Sequence, residues 1–204
     1  MTIQDVRLLL CSVLLILFGS QQATCAPLFG YVEMRQPNLS AVGQWTKVRH
    51  RHYVEDFKPG ALSLKAWSTY LEKISQLSAE KQLVAVNAFA NKHPYTLDIS
   101  NYGVEDYWAI VKEFLQNNGD CEDYAITKFY SLRELGFANS QLRIVVLQDT
   151  NLRVAHAVLA VFKDNDIVIL DNQVDQILSH TDIKHYTPIY SVNEDGWWLH
   201  LPPM

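Results

Sequence analysis

The 204-residue chain lacks a basic excess: 17 Lys and Arg stand against 22 Asp and Glu, a net charge of −5. No cationic face is therefore available for a nucleic-acid backbone. It has few breakers: 8 Gly and 7 Pro are scattered along the chain, so no low-complexity linker divides it. It has no repeat at a period of about 20–50 residues, which excludes a solenoid or a propeller. It also lacks an apolar run of the roughly 17–25 residues that an ordinary transmembrane helix needs. Cysteine is scarce, 3 in all. What remains is 49% hydrophobic and 19% charged. That composition belongs to a folded domain with a sizeable core, or to two small lobes around a cleft.

The longest apolar stretch, LLLCSVLLILF from Leu8 to Phe18, follows Arg7 and leads to the small residues Ala23-Thr24-Cys25-Ala26. A weakly basic start, a short apolar segment and a small-residue site make residues 1–26 a secretory signal peptide, with cleavage expected after Ala26 and no stable membrane insertion afterwards. A lipid-modified Cys25 is disfavoured, because Gln22 stands where such sites want an aliphatic residue. Cys11 and Cys25 leave with that segment, so the mature domain 27–204 keeps one thiol, Cys121. Exported proteins normally pair their cysteines, so a single thiol there is either inert and buried or reactive.

Residues 27–60 show no sustained period and read as loops with short pieces of structure; Arg49-His50-Arg51-His52 reads as a solvated basic patch. From Leu62 to Lys92 the period is helical, with a break near Ser78 and Pro94 beyond the end. A third helix is expected over Val104–Leu115. A fourth starts after Asp120, runs from Cys121 to Leu135 and stops at Gly136. Beyond Gly136, LRIVVL (Leu142–Leu147), VAHAVLAVF (Val154–Phe162) and IVIL (Ile167–Leu170) are strand-like runs rich in β-branched residues. Asp149-Thr150-Asn151 and Asp164-Asn165-Asp166 separate them; the latter lacks the glycine and glutamate of a calcium loop and reads as a turn. Helices first and antiparallel strands second make the fold class α+β.

Asp120 is a natural N-cap, which puts Cys121 in the first turn of a helix, where backbone N–H groups and the helix dipole favour a thiolate. A thiolate nucleophile needs a base, and the base needs an orienting group. His156 lies among apolar strand residues, a costly place unless its ring nitrogens have partners. If the runs around Asp164-Asn165-Asp166 form a hairpin, His156 and Asp171 become offset neighbours near the strand ends. Cys121, His156 and Asp171 are thus the candidate catalytic residues, in the chain order of a papain-like or transglutaminase-like site. Asp120, Glu122 and Asp123 crowd that thiol. Acids cap helix N-termini, and Asp120 with Asp123 approximates a capping box. Three carboxylates should also raise the thiol pKa, which a hard cation such as Ca²⁺ would reverse.

Gly119-Asp120-Cys121-Glu122-Asp123-Tyr124-Ala125, His156-Ala157-Val158-Leu159 and Leu170-Asp171-Asn172 occur in that order, with Tyr107-Trp108 and Glu113-Phe114-Leu115 upstream. Over about residues 40–195 this pattern resembles the bacterial transglutaminase-like cysteine proteinases, notably their periplasmic adhesin-releasing members. The resemblance implies Cys121 as nucleophile, His156 as base and Asp171 as orienter. It implies helices packed on an antiparallel sheet with the nucleophile at a helix N-terminus. It further implies Ca²⁺ held by Asp120 and Glu122, with Asp123 as a further ligand. The partners it implies are a large surface adhesin, cut at a paired-alanine site near its N-terminus so that biofilm disperses, and the periplasmic domain of an inner-membrane cyclic di-GMP receptor. From the residues themselves two alternatives stay open: an acyl transferase using the same triad, and a calcium-responsive binding module in which Trp197-Trp198 serves an interface.

Overall fold

The computed structural model describes residues 27–56 and 62–203, so the signal-peptide reading of residues 1–26 lies outside the described residues. The helices are α1 (Gly43–Arg51), α2 (Leu62–Ile74), α3 (Ala79–Asn91), the single turn α4 (Asp98–Asn101), α5 (Val111–Asn117) and α6 (Cys121–Glu134). The strands are β1 (Val32–Gln36), β2 (Leu142–Asp149), β3 (Val154–Phe162), β4 (Ile167–Leu170), β5 (Leu178–Ser179), β6 (Tyr186–Asn193) and β7 (Gly196–Leu201). They form one antiparallel sheet in the order β1-β7-β6-β2-β3-β4-β5. Among the described residues no helix is long and apolar enough to cross a membrane.

Helix α6 lies between the sheet and the other helices. Every residue from Glu122 to Leu132 is buried, which is the burial of a central helix rather than an amphipathic one. Ile126, Phe129 and Leu132 join Ile144 and Leu159 of the sheet in the main core, each such side chain contributing roughly 1.5–3 kcal/mol by leaving water. Inside α6, Ser131 Oγ donates to Thr127 O at 2.7 Å and accepts from Trp67 Nε1 at 2.9 Å. Gly136, at φ 93°, ends the helix in the left-handed turn that glycine adopts without strain. The residue at the head of α6 therefore stands on one of the most rigid elements of the molecule.

Two sequence expectations need correction. The helix expected over Val104–Leu115 begins only at Val111, because carboxylates take the preceding backbone. Asp98 Oδ2 accepts from the Tyr107 N–H at 2.5 Å, Asp123 Oδ1 from Ala109 at 2.7 Å and Glu113 Oε2 from Ile110 at 2.9 Å. In residues 27–56 the short pieces of structure expected among loops include a strand, β1, and a helix, α1. The basic patch there is solvated only in part: His50 is exposed, but Arg51 pairs with Glu113 at 2.7 Å and also reaches the Tyr107 hydroxyl and the Trp108 carbonyl. His52 is buried, stacked on Tyr130 with ring centroids 3.5 Å apart. The Trp197-Trp198 pair is part of β7. Trp198 is buried beneath the Arg143 guanidinium, 3.7 Å from the ring centroid, and Trp197 Nε1 donates to Asn38 O at 3.0 Å.

Candidate active site

Cys121 is the first residue of α6, half-buried, and free. Gly119 precedes it for a steric reason. A Cβ at Gly119 would lie 2.1 Å from Asp123 Oδ2 and 2.7 Å from its Cβ, so any side chain there would drive the Asp123 carboxylate from its place. That carboxylate staples the helix head: besides the Ala109 N–H it accepts from the Asp120 N–H at 3.2 Å. The helix is thus capped from Asp123 backwards, while Asp120 Oδ1 is buried without a hydrogen-bond partner among the described residues. Capping accounts for Asp123 and leaves Asp120 unexplained.

Strand β3 passes α6 and presents His156, 3% exposed, at the site. Its Nε2 lies 2.9 Å from Asp171 Oδ1, in a pair of which both members are buried. The β3–β4 register, Leu159 opposite Leu170, places Asp171 one residue beyond the last pair, diagonal to His156 as the hairpin argument expects. Asp171 also accepts from the Gln173 N–H at 2.9 Å and from the Tyr186 hydroxyl at 2.5 Å. Burial alone would raise its pKa, but the hydrogen bond and charge of His156, with those two other donors, hold it below the ordinary carboxylate value. With Nε2 committed to Asp171, Nδ1 is the ring nitrogen left for a thiol proton. The backbone N–H of the next residue, Ala157, reaches toward the Cys121 sulfur. Tyr186, from the start of β6, was not among the sequence candidates, since nothing local marks it; only the strand order brings it to Asp171.

The acids form a second layer. Ligand-type atoms of Asp120, Cys121 and Glu122 lie within 4.8 Å of one another, as do those of Asp98, Asp120 and Asp123, and those of Asp98, Asp106 and Glu122. Asp106 lies in the stretch Val104–Ile110 that the helix was expected to include, and Asp98 opens α4 just before it. Burial, then hydrogen bonding to and repulsion from Asp120, push Glu122 from 4.5 to about 10; burial also raises Asp120 and Asp123, and takes Asp98 from 3.8 to about 6. Burial pushes the Cys121 thiol well up, followed by the charges of Glu122 and Asp120; its sulfur donates to Glu122 Oε2 at 3.3 Å. The thiolate expected from the helix N-terminus is therefore opposed by these carboxylates. Buried Asp98 Oδ1 and Asp120 Oδ1, both without partners among the described residues, face this cluster as oxygen donors of the type a hard divalent cation takes.

These shifts set a pH dependence. A carboxyl whose folded pKa is raised contributes most stability below its unfolded value, and that contribution is lost as pH rises toward the folded value. In chelator, the melting temperature should therefore fall as pH rises from 3.8 through about 6 for Asp98, and further toward about 10 for Glu122. Asp171 acts oppositely, losing its contribution as pH falls below the ordinary value. Thermal melts across pH, with chelator and with Ca²⁺, check this; a chelated profile that rises from pH 4 to 7 would contradict it.

The family model for bacterial transglutaminase-like cysteine proteinases matches residues 66–203. The structure of calcium-bound Legionella pneumophila LapG is 30% identical, with a TM-score of 0.62, the match covering 74% of this chain and 87% of that one. EGTA-treated LapG from the same organism is 29% identical, with a TM-score of 0.61, covering 80% of this chain and 87% of that one. No curated protein matches the sequence.

Proposed function

This chain belongs to the bacterial transglutaminase-like cysteine proteinases and is a cysteine protease; within that family we propose that it is a calcium-dependent endopeptidase of the periplasm. Its substrate is the N-terminal region of a large surface adhesin, cut at a paired-alanine type site, so that cleavage releases the adhesin and disperses biofilm. The periplasmic domain of an inner-membrane cyclic di-GMP receptor withholds it from that substrate, and residues 1–26 direct it there as a signal peptide.

The observation that carries the reading is the buried His156–Asp171 pair at 2.9 Å, set against a thiol that opens a rigid helix. In this scheme His156 Nδ1 takes the Cys121 proton and the sulfur attacks the peptide carbonyl carbon. The tetrahedral oxyanion collapses to an acyl-thioester as His156 returns the proton to the leaving amine. Water, deprotonated by His156, then releases the carboxylate product and regenerates the thiol. Asp120 and Glu122 would hold Ca²⁺, with Asp123, Asp98 and Asp106 in the same acidic cluster. When bound, the cation would supply positive charge offsetting the carboxylates beside the sulfur.

The test is incubation of purified protein with an adhesin N-terminal fragment, in Ca²⁺ and in EGTA, with product termini sequenced. A cut in Ca²⁺, between or beside paired alanines and absent in EGTA, is expected. Incorporation of an added amine into glutamine-containing protein without hydrolysis would replace this reading with an acyl transferase.

A further inference from the structure

Cys121 carries a backbone N–H at the helix head, but one N–H makes half of an oxyanion hole. The segment just after α3 lies beside it. Tyr95 pairs with Gly119 in an isolated parallel bridge, and the Thr96 N–H donates to Gly119 O at 2.8 Å. The same segment is held from the helix side, since the Tyr124 hydroxyl donates to His93 O at 2.5 Å. The Tyr95 ring lies nearly parallel to that of Tyr124, at 17° with centroids 6.3 Å apart, over the first turn of α6. Tyr95 remains 53% exposed, so its phenol sits on the open side of the helix head, where a peptide would approach the sulfur. Its hydroxyl lies near the head of α6, within reach of Asp120, Cys121 and Glu122.

We propose that the Tyr95 hydroxyl is the second donor of the oxyanion hole, converging with the Cys121 backbone N–H on the carbonyl oxygen of the scissile bond. The assignment rests on the cysteine-protease reading of Cys121. As the carbonyl oxygen gains charge, both the Cys121 N–H and the Tyr95 O–H donate to it. A phenol keeps its proton at neutral pH and so serves as donor. Its anchoring to Gly119 and Tyr124, both on the helix side, means the donor moves with the nucleophile.

Tyr95→Phe keeps the ring stack and removes the hydroxyl alone. Two assays separate the possible failures: hydrolysis of the adhesin fragment, and acylation of Cys121 by a p-nitrophenyl ester, which needs no adhesin specificity. In Tyr95→Phe the acylation rate is expected to drop about 10²-fold, with KM nearly unchanged and with Cys121 alkylation by iodoacetamide at the wild-type rate, because alkylation forms no oxyanion. Acylation at the wild-type rate, or faster, would overturn the proposal; so would an equal loss of alkylation, which would place Tyr95 upstream of the thiol. Tyr95-dependent acylation with an uncut adhesin fragment would sink the adhesin reading and leave the oxyanion donor standing. A wild-type Cys121 that the ester cannot acylate would sink both.

Discussion

Cys121→Ala is expected to remove about 10⁶-fold of kcat in fragment cleavage while the protein folds and melts as before. Alanine is the best helix former and Cys121 is half-buried at the helix head, so truncation leaves no large cavity and removes only the weak S–H contact to Glu122 Oε2. Asp171→Ala is expected to cost about 10³–10⁴-fold in kcat, with a loss of stability as well. Its side chain is the acceptor for His156 Nε2, the Gln173 N–H and the Tyr186 hydroxyl, and each buried donor left without an acceptor costs about 1–3 kcal/mol. Asp171→Asn keeps an oxygen for His156 and the fold, but lacks the charge that stabilises the imidazolium, so it should fall between the two. If the three side chains act as a unit, as proposed, Cys121→Ala combined with Asp171→Ala should be no slower than Cys121→Ala alone. Single-turnover cleavage and thermal melts decide this; multiplying losses in the double variant would show that Asp171 acts outside the triad.

The second large effect concerns the acids. Ca²⁺ at about a hundredfold its Kd should stabilise the wild type by about 2.7 kcal/mol, which is about 5–10 °C in melting temperature for a domain of this size. Asp120→Ala and Glu122→Ala should each abolish that shift and reduce cleavage by about 10²-fold even in saturating Ca²⁺, on the pKa argument: without the cation the remaining carboxylates keep Cys121 as a neutral thiol. Asp123→Ala behaves differently, because its carboxylate also holds the Ala109 and Asp120 N–H groups; it should destabilise the protein with and without calcium. Calorimetric calcium titration and melts of the three variants separate the roles. Full cleavage by Asp120→Ala in EGTA would reduce these acids to helix electrostatics.

What was legible in the chain followed its local periods. LRIVVL, VAHAVLAVF and IVIL became β2, β3 and β4 nearly to the residue, and the glycine-terminated run became α6, because in each the short-range pattern and the burial agree. The offset of His156 and Asp171 was readable from hairpin arithmetic alone. What failed was long-range. The segment Val104–Ile110 has a helical apolar pattern, yet carboxylates from α4 and α6 bind its backbone and hold it irregular. Asp98 and Asp106 carry no local signal of a shared site; only the chain path brings them to Asp120 and Glu122. Arg51 looked like one charge of a surface patch, while its partner Glu113 lies 62 residues away. No local signal marks Tyr95, whose significance comes from a single bridge to Gly119.

Strand β1 pairs with β7 alone, Val32 opposite Leu201 and Gln36 opposite Trp197. Closing so long a loop is entropically costly and slow, whereas every residue of the triad lies between Cys121 and Asp171, within reach of hairpins and one helix. As the chain emerges from its N-terminus, β1 must wait for nearly the whole sequence before its partner exists. The catalytic half can therefore condense first around β2, β3 and α6, and the N-terminal strand is sewn on afterwards as the hem of the sheet. For this sheet, folding order is expected to run against chain order: its first strand pairs last.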